Sequence, residues 1–303
     1  MATLLITGAT SGLGRYLAFA LVRDGHVVLA HGRDRARTDA LVAELNAAAG
    51  GAGHAEGFVA DLASLEQVRD LGARVAKAHP DLDVLVNNAG VGAGPRGAGR
   101  EVSADGHELR WAVNLLAPVA LTRVLLPVLV ANSPARIVNC GSLGQSPPAF
   151  DDLGFTRGYS GTEAYCRSKF ALAAHTFSLA REVSGTGVTA HVVHPATYMD
   201  TAMVRDAGIT PWNSVADGAA GVLALAVGEL GTDPTGRFYD GARPARAHDA
   251  AYDLDVQRRL DAELARMLAQ SSASAARAPS PVPHAPAPQG RPRRRNAPGS
   301  DRG

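Results

Sequence analysis

The 303-residue chain predicts a single α/β domain, a doubly wound parallel sheet of about seven strands flanked by helices, followed by a disordered C-terminal tail. Three observations predict it. Short apolar runs alternate with longer amphipathic segments from Ala2 to Tyr239, and buried strands alternating with helices make a parallel sheet covered on both faces. A glycine-rich turn, Gly8 to Gly14, follows the first apolar run directly. From Ser271 onward Ser, Ala, Pro and Arg replace the apolar pattern, and that composition cannot bury enough surface to fold.

Taken in order, Ala2 to Thr7 (ATLLIT) reads as a strand that turns into a helix over Leu13 to Arg23, stopped by Asp24-Gly25. His26 to Ala30 is a second strand and Thr38 to Ala49 a second helix. Strands at Ala55–Ala60, Val84–Asn87, Ala135–Cys140 and Val188–Val193 alternate with helices at Ser64–Ala78, Trp111–Val130 and Thr162–Val183. Right-handed crossovers wind these about both faces of the sheet. Ser214 to Glu229 reads as a helix, Gly236 to Tyr239 as the last strand and Leu254 to Ala269 as a final helix. The expected domain spans residues 1–270 and the tail 271–303, including Arg293-Arg294-Arg295.

The chain is 46% hydrophobic and 19% charged, with net charge +1. This suits a globular domain with a sizeable core and offers no reason to expect a nucleic-acid partner. Cys140 and Cys166 stand at no metal-ligand spacing to any of the ten histidines, so no metal is expected and a reducing compartment is. An apolar strand beginning at residue 2 leaves no room for a signal peptide. The apolar runs read as shorter than the roughly 18 residues of a membrane span. A cytoplasmic location is the expectation.

The first turn reads Thr7-Gly8-Ala9-Thr10-Ser11-Gly12-Leu13-Gly14. Between a strand and a helix, glycines let the backbone approach a pyrophosphate, and the helix N-terminus attracts its charge. A dinucleotide site is expected there. Further on, Tyr165 and Lys169 lie four residues apart, hence on one face of a helix. An ammonium beside a phenol favours the phenolate and brings the tyrosine toward acid–base work at neutral pH. At the end of the second strand, Gly32 cannot hold a ribose 2′-hydroxyl as a carboxylate would, while Arg33 can pair with a 2′-phosphate. NADP(H) is therefore the expected cofactor and NAD(H) the alternative. Arg35 and Arg37 add positive field or simply decorate the surface. Pro118 has no N–H, so the Asn114 carbonyl loses its usual helical donor and becomes free to hold a water.

With Asp61-Leu62 after the third strand and Asn87-Asn88-Ala89-Gly90 after the fourth, the chain resembles the short-chain dehydrogenase/reductase family from Ala2 to about Tyr239. The resemblance implies a Rossmann-type fold and hydride transfer between nicotinamide C4 and a carbonyl or alcohol carbon. It implies catalytic roles for Asn114, Ser142, Tyr165 and Lys169: Ser142 to polarise the substrate oxygen, Tyr165 to give or take the proton, Lys169 to lower the tyrosine pKa and hold the nicotinamide ribose, Asn114 to hold the relay water. It also implies cofactor contacts from Gly8, Thr10, Ser11, Gly12, Leu13, Gly14, Arg33, Asp61, Leu62, Asn88, Ala89, Gly90 and Pro195. Asp61 reads equally well as a helix cap. Gly141 and Ala196 stand where the family commonly has serine and glycine, and either Thr197 or Thr201 meets the nicotinamide carboxamide. Residues 196–213 are expected to form a substrate lid. The extended segment with Asp151-Asp152-Leu153 and Tyr159 looks like the retinol dehydrogenase subgroup, which implies an apolar ketone, aldehyde or alcohol as the small-molecule substrate. Family members commonly pair through the helices carrying Asn114 and Tyr165, so a homodimer or homotetramer is implied. A non-catalytic dinucleotide-binding regulator is the alternative function.

Overall fold

In the computed structural model, which describes residues 1–95, 97–232 and 234–277, eight strands form one sheet. They are β1 (Thr3–Ile6), β2 (Val27–Gly32), β3 (His54–Val59), β4 (Leu82–Asn87), β5 (Ala135–Cys140), β6 (Val188–His194), β7 (Phe238–Asp240) and β8 (Arg243–Ala245), in the order β3-β2-β1-β4-β5-β6-β7-β8. All neighbours are parallel except β7 and β8. The strand beyond the expected seven is β8, whose sequence Arg-Pro-Ala carries no apolar run. Its Pro244 is compatible with an edge position, where one side needs no donor.

Alternation along β1 sends Leu4 and Ile6 to one face and Leu5 to the other. On the first face lie α1 (Gly12–Arg23), α2 (Arg35–Ala49) and α8 (Val215–Ala226); on the second lie α3 (Leu65–Ala78), α5 (Ala117–Ala131), α6 (Gly161–Glu182) and α9 (Leu254–Arg277). The start of α2 lies ahead of Thr38 because Asp34 caps it, accepting from the Arg37 N–H at 2.8 Å. Likewise α9 runs past Ser271 to Arg277, since no proline interrupts it before Pro279. The tail from 278 lies outside the described residues.

Two sequence expectations change at the central helix. A short α4 (Leu109–Trp111) leads through a π turn, Ala112–Leu116, into α5. Pro118 lacks the N–H for the Asn114 carbonyl and its ring crowds that carbonyl, which accounts for the wider turn centred on Asn114. The stretch Leu109–Ala131 is also long and apolar enough to cross a membrane by length and composition, contrary to the sequence expectation. Its apolarity has another cause: the stretch is mostly buried, between α3, α6 and the sheet.

Helix α6 is enclosed within its own chain, with Ser168 to Phe177 all buried. Part of that cover is α9, which packs on α6 and α3 and is tied by His175 Nδ1 to Asp261 Oδ1 at 2.8 Å. Any pairing of two copies through α5 and α6 has to accommodate this helix.

Candidate active site

Strand order reverses direction between β1 and β4, the position where open α/β sheets form a crevice at their carboxyl edge. The loop after β1 and the loop after β4 meet there. Thr7 Oγ1 accepts the N–H groups of Asn88 and Ala89, each at 3.0 Å, and Asn88 Nδ2 donates to the Thr7 carbonyl at 2.8 Å. Gly8 has φ +68°, and a Cβ on it would come within 2.9 Å of Ala89 Cα; one on Gly14 would strike the Gly8 carbonyl. Leu13 is buried. Ser11 precedes α1 without its side chain capping the helix, and the first turn of α1 holds no acidic residue. This leaves a glycine cradle at a positive helix end, fitted to a pyrophosphate. Deeper in the sheet Asn87 Nδ2 donates to Asn139 Oδ1 at 2.8 Å and Asn139 Nδ2 to Thr176 Oγ1 at 2.8 Å, tying β4, β5 and α6.

His31 of β2 braces this loop, a role with no signal in the sequence. Buried at the end of β2, its Nδ1 accepts from the Gly8 N–H at 3.2 Å, and Nε2 faces the Ala60 carbonyl at 3.0 Å. The ring is therefore neutral with the proton on Nε2, and burial pushes its pKa from 6.5 down to about 4. Between those values the unfolded chain holds a proton that the folded one does not. Stability is thus full above pH 6.5 and falls by about 3 kcal/mol as the pH drops to about 4. A His31→Gln variant is expected to lose most of this slope in denaturant titrations run across that pH range; an unchanged slope would show that the histidine does not carry it.

The next residues bear on cofactor choice. A Cβ on Gly32 would sit 2.5 Å from Thr10 Cγ2 and collide with Thr38 Oγ1, so the loop leaves no room for a carboxylate side chain there. Arg33 is exposed and has no ion-pair partner among the described residues. Asp61 is exposed, with Oδ1 accepting from the Ala63 N–H at 2.9 Å, while Ser64 rather than Asp61 caps α3. Leu62 is buried in the core.

At the end of β5, the Ser142 hydroxyl neighbours the Tyr165 phenol, and its Oγ accepts from the Gly144 N–H at 3.0 Å. Lys169 Nζ donates to the Cys140 carbonyl at 2.8 Å and stands 5.9 Å from the Tyr165 ring centroid. The expectation that lysine lowers the tyrosine pKa is corrected by this geometry. Burial raises the phenol above its ordinary value, and the neighbouring Ser142 hydroxyl opposes that rise. The ammonium is turned to Cys140, and burial pushes the lysine itself down to about 8. Asn114 Oδ1 accepts from the Val91 N–H at 2.7 Å, and its Nδ2 donates to the Val91 carbonyl at 3.0 Å and to Ser168 Oγ at 3.1 Å. Gly90 lies between the groups: a Cβ there would be 3.3 Å from Asn114 Oδ1 and 3.7 Å from Lys169 Nζ. Asn114 and Lys169 therefore meet at Gly90, and Lys169 in turn neighbours Tyr165, which lies by Ser142.

After β6, Pro195 is buried and Thr197 Oγ1 pairs with His194 Nε2 at 3.0 Å. Thr201 instead lies against the glycine loop, its Cγ2 3.2 Å from where a Cβ of Gly12 would be. Of the two threonines left open by the sequence, Thr201 is the one beside the loop. Residues 196–213 contain the short α7 (Ala202–Asp206) and close on themselves: the Asp200 N–H donates to the Asn213 carbonyl at 2.9 Å, and Tyr198 and Trp212 meet edge to face at 4.8 Å. Met203 of this segment packs over Gly92.

Residues 2–211 match the family model for short chain dehydrogenases. The chain belongs to the short-chain dehydrogenase family. Within it, the chain is 33% identical to retinol dehydrogenase 13 of Homo sapiens over 290 residues, covering 90% of this chain and 86% of that one. This bears out the resemblance to the retinol dehydrogenase-like subgroup. Among solved structures, an uncharacterized protein from Mycobacterium Paratuberculosis superimposes with TM-score 0.72 at 29% identity, covering 89% of this chain and 94% of that one. A short chain dehydrogenase from Burkholderia cenocepacia J2315 in complex with NADP gives TM-score 0.62 at 29% identity, covering 79% and 95%.

Proposed function

We propose that this short-chain dehydrogenase is an NADP(H)-linked oxidoreductase that interconverts an apolar ketone or aldehyde and its alcohol, with Tyr165 as the proton-transferring group. The observation that carries the reading is the gathering of Ser142, the Tyr165 phenol and buried Lys169 at the carboxyl edge of the sheet. A nicotinamide dinucleotide bound in the cradle supplies the hydride. Gly8 to Gly14 then receive the pyrophosphate, Asp61 and Leu62 the adenine side, and Asn88 to Gly90, Pro195 and Thr201 the nicotinamide side. Ser142 holds the substrate oxygen against the phenol, Tyr165 gives its proton to that oxygen in reduction, and Lys169 supplies a nearby positive charge.

An exposed, unpaired Arg33 beside a Gly32 with no room for an acid supports NADP(H) over NAD(H), as does the NADP complex of the Burkholderia neighbour. For the substrate, the human relative is named for retinol, an apolar alcohol, and Leu143 and Met203 expose apolar surface near the reacting groups. A reducing, cytoplasmic setting and homo-oligomerisation belong to the same proposal, the first resting on the free thiols of Cys140 and Cys166.

Mixing the protein with NADPH and a panel of apolar aldehydes and ketones, and following the loss of reduced-nicotinamide absorbance, tests the reading. Turnover is expected, with KM for NADPH well below that for NADH. Arg33→Ala is expected to raise KM for NADPH by roughly tenfold, about 1.4 kcal/mol of lost phosphate pairing, and leave NADH untouched. An unaltered preference would remove Arg33 from the site. Tight NADPH binding with no turnover on any carbonyl would favour the regulator instead.

A further inference from the structure

Next to the reacting groups, but touching none of them, sits a buried ion network that the proposed chemistry does not use. Arg110 and Glu108 are each 1% exposed. The five N–H donors of a guanidinium are all engaged: Nε with the Gly92 carbonyl at 2.9 Å, Nη1 with Glu108 Oε1 at 3.1 Å and the Tyr159 hydroxyl at 2.8 Å, Nη2 with the Ala93 carbonyl at 3.2 Å and Glu101 Oε2 at 3.5 Å. Tyr159 closes the ring by donating to Glu108 Oε1 at 3.0 Å, and Glu108 Oε2 accepts from the Trp111 N–H at 2.9 Å. Burial and the Glu108 charge push the Tyr159 phenol up to about 12, which keeps its proton in place for that donation.

Burying such a pair brings little net stability, because desolvation offsets the attraction. What it can do is hold segments in one arrangement, and its placement says which. Arg110 is one helical turn ahead of Asn114. The Gly92 and Ala93 carbonyls it grips directly follow Val91, which Asn114 clamps. The Ala93 carbonyl in turn lies so close to Gly161 that a Cβ there would collide with it. Gly161 begins α6, one turn ahead of Tyr165. The same guanidinium thus fixes the strand-end loop to the helix of Asn114 and to the first turn of the helix carrying Tyr165.

We propose that Glu108, Arg110 and Tyr159 are positioning residues that set the register of Tyr165 against the loop following β4. The inference rests on the proposed function for its kinetic readout only. Tyr159→Phe keeps the ring and its packing and deletes one hydroxyl. It is expected to lower kcat for NADPH-linked carbonyl reduction by on the order of ten- to a hundredfold, as a misplaced reacting group does, while KM for NADPH stays within about twofold. Amide hydrogen exchange is expected to speed up at Gly92–Gly94 and at Ala164 and Tyr165. Arg110→Lys, which keeps the charge and loses the planar fork, is expected to fall further in kcat and not to rescue. Unchanged kcat with a lowered melting midpoint would overturn the proposal by showing a purely structural role, as would kcat and cofactor KM worsening together. If no carbonyl is turned over by the wild type, the proposed function fails on its own. The exchange measurement then decides alone: unchanged exchange at Ala164 and Tyr165 overturns the positioning role, and faster exchange there sustains it.

Discussion

Tyr165→Phe is expected to lower turnover by about 10²- to 10⁴-fold, the range a positioned general acid contributes, with NADPH affinity unchanged. The ring stays and only the hydroxyl goes, so the half-buried position on α6 remains filled. What disappears is the phenolic oxygen, the only polar atom of that side chain. Cofactor binding, followed by the fluorescence of bound NADPH, separates this from a folding defect. Turnover within about tenfold of wild type would refute the assignment of Tyr165 as the proton donor.

Lys169→Met is expected to do two opposite things: abolish most turnover and make the cofactor-free protein more stable. The lysine is buried and its pKa is pushed from 10.5 down to about 8. At 1.36 kcal/mol per pKa unit, keeping the ammonium charged in the fold at neutral pH costs about 3 kcal/mol. Losing the bond to the Cys140 carbonyl offsets about 1 kcal/mol, which leaves a net gain of about 2 kcal/mol for the apolar residue. The pH dependence gives a second check. From about pH 8 to 10.5 the unfolded chain binds the proton that the folded one has released, so this group makes stability rise with pH across that window. Cys140, pushed by burial up to about 12, works the other way in both proteins. Below about pH 9, where that thiol keeps its proton folded and unfolded, the difference between wild type and variant isolates the lysine, and a Lys169→Met protein less stable than wild type at pH 7 would contradict the burial cost.

Much of this molecule was legible in its residues because the signals are local. β1 to β6 announce themselves as short apolar runs, and β5 was read at its exact bounds. The glycine turn, Asn87 to Gly90, Ser142 and the Tyr165–Lys169 pair sit at the ends of those runs. Once the sheet is parallel, strand ends fall on one edge, so these motifs had to meet. Pro118 also marks where its helix departs from regular α geometry, through an N–H it lacks.

Other features had no local signal. β8 is an edge strand of Arg-Pro-Ala, paired only because β7 lies beside it. Thr197 and Thr201 are chemically alike, and only the path of the chain after Pro195 turned one to His194 and the other to Gly12. Glu108 and Arg110 carry no local signal of burial; Tyr159, distant in the chain, completes their hydrogen bonds in the fold. The order of the pKa shifts at Tyr165 and Lys169 was likewise decided by burial, which depends on everything packed around them, and not by their spacing along one helix. Sequence by itself determined which chemistry gathers at the edge of the sheet, because strand ends and helix turns are set by neighbouring residues. Only the tertiary structure decided the charge states, the threonine beside the loop and the buried network, because each depends on contacts between residues far apart in the chain.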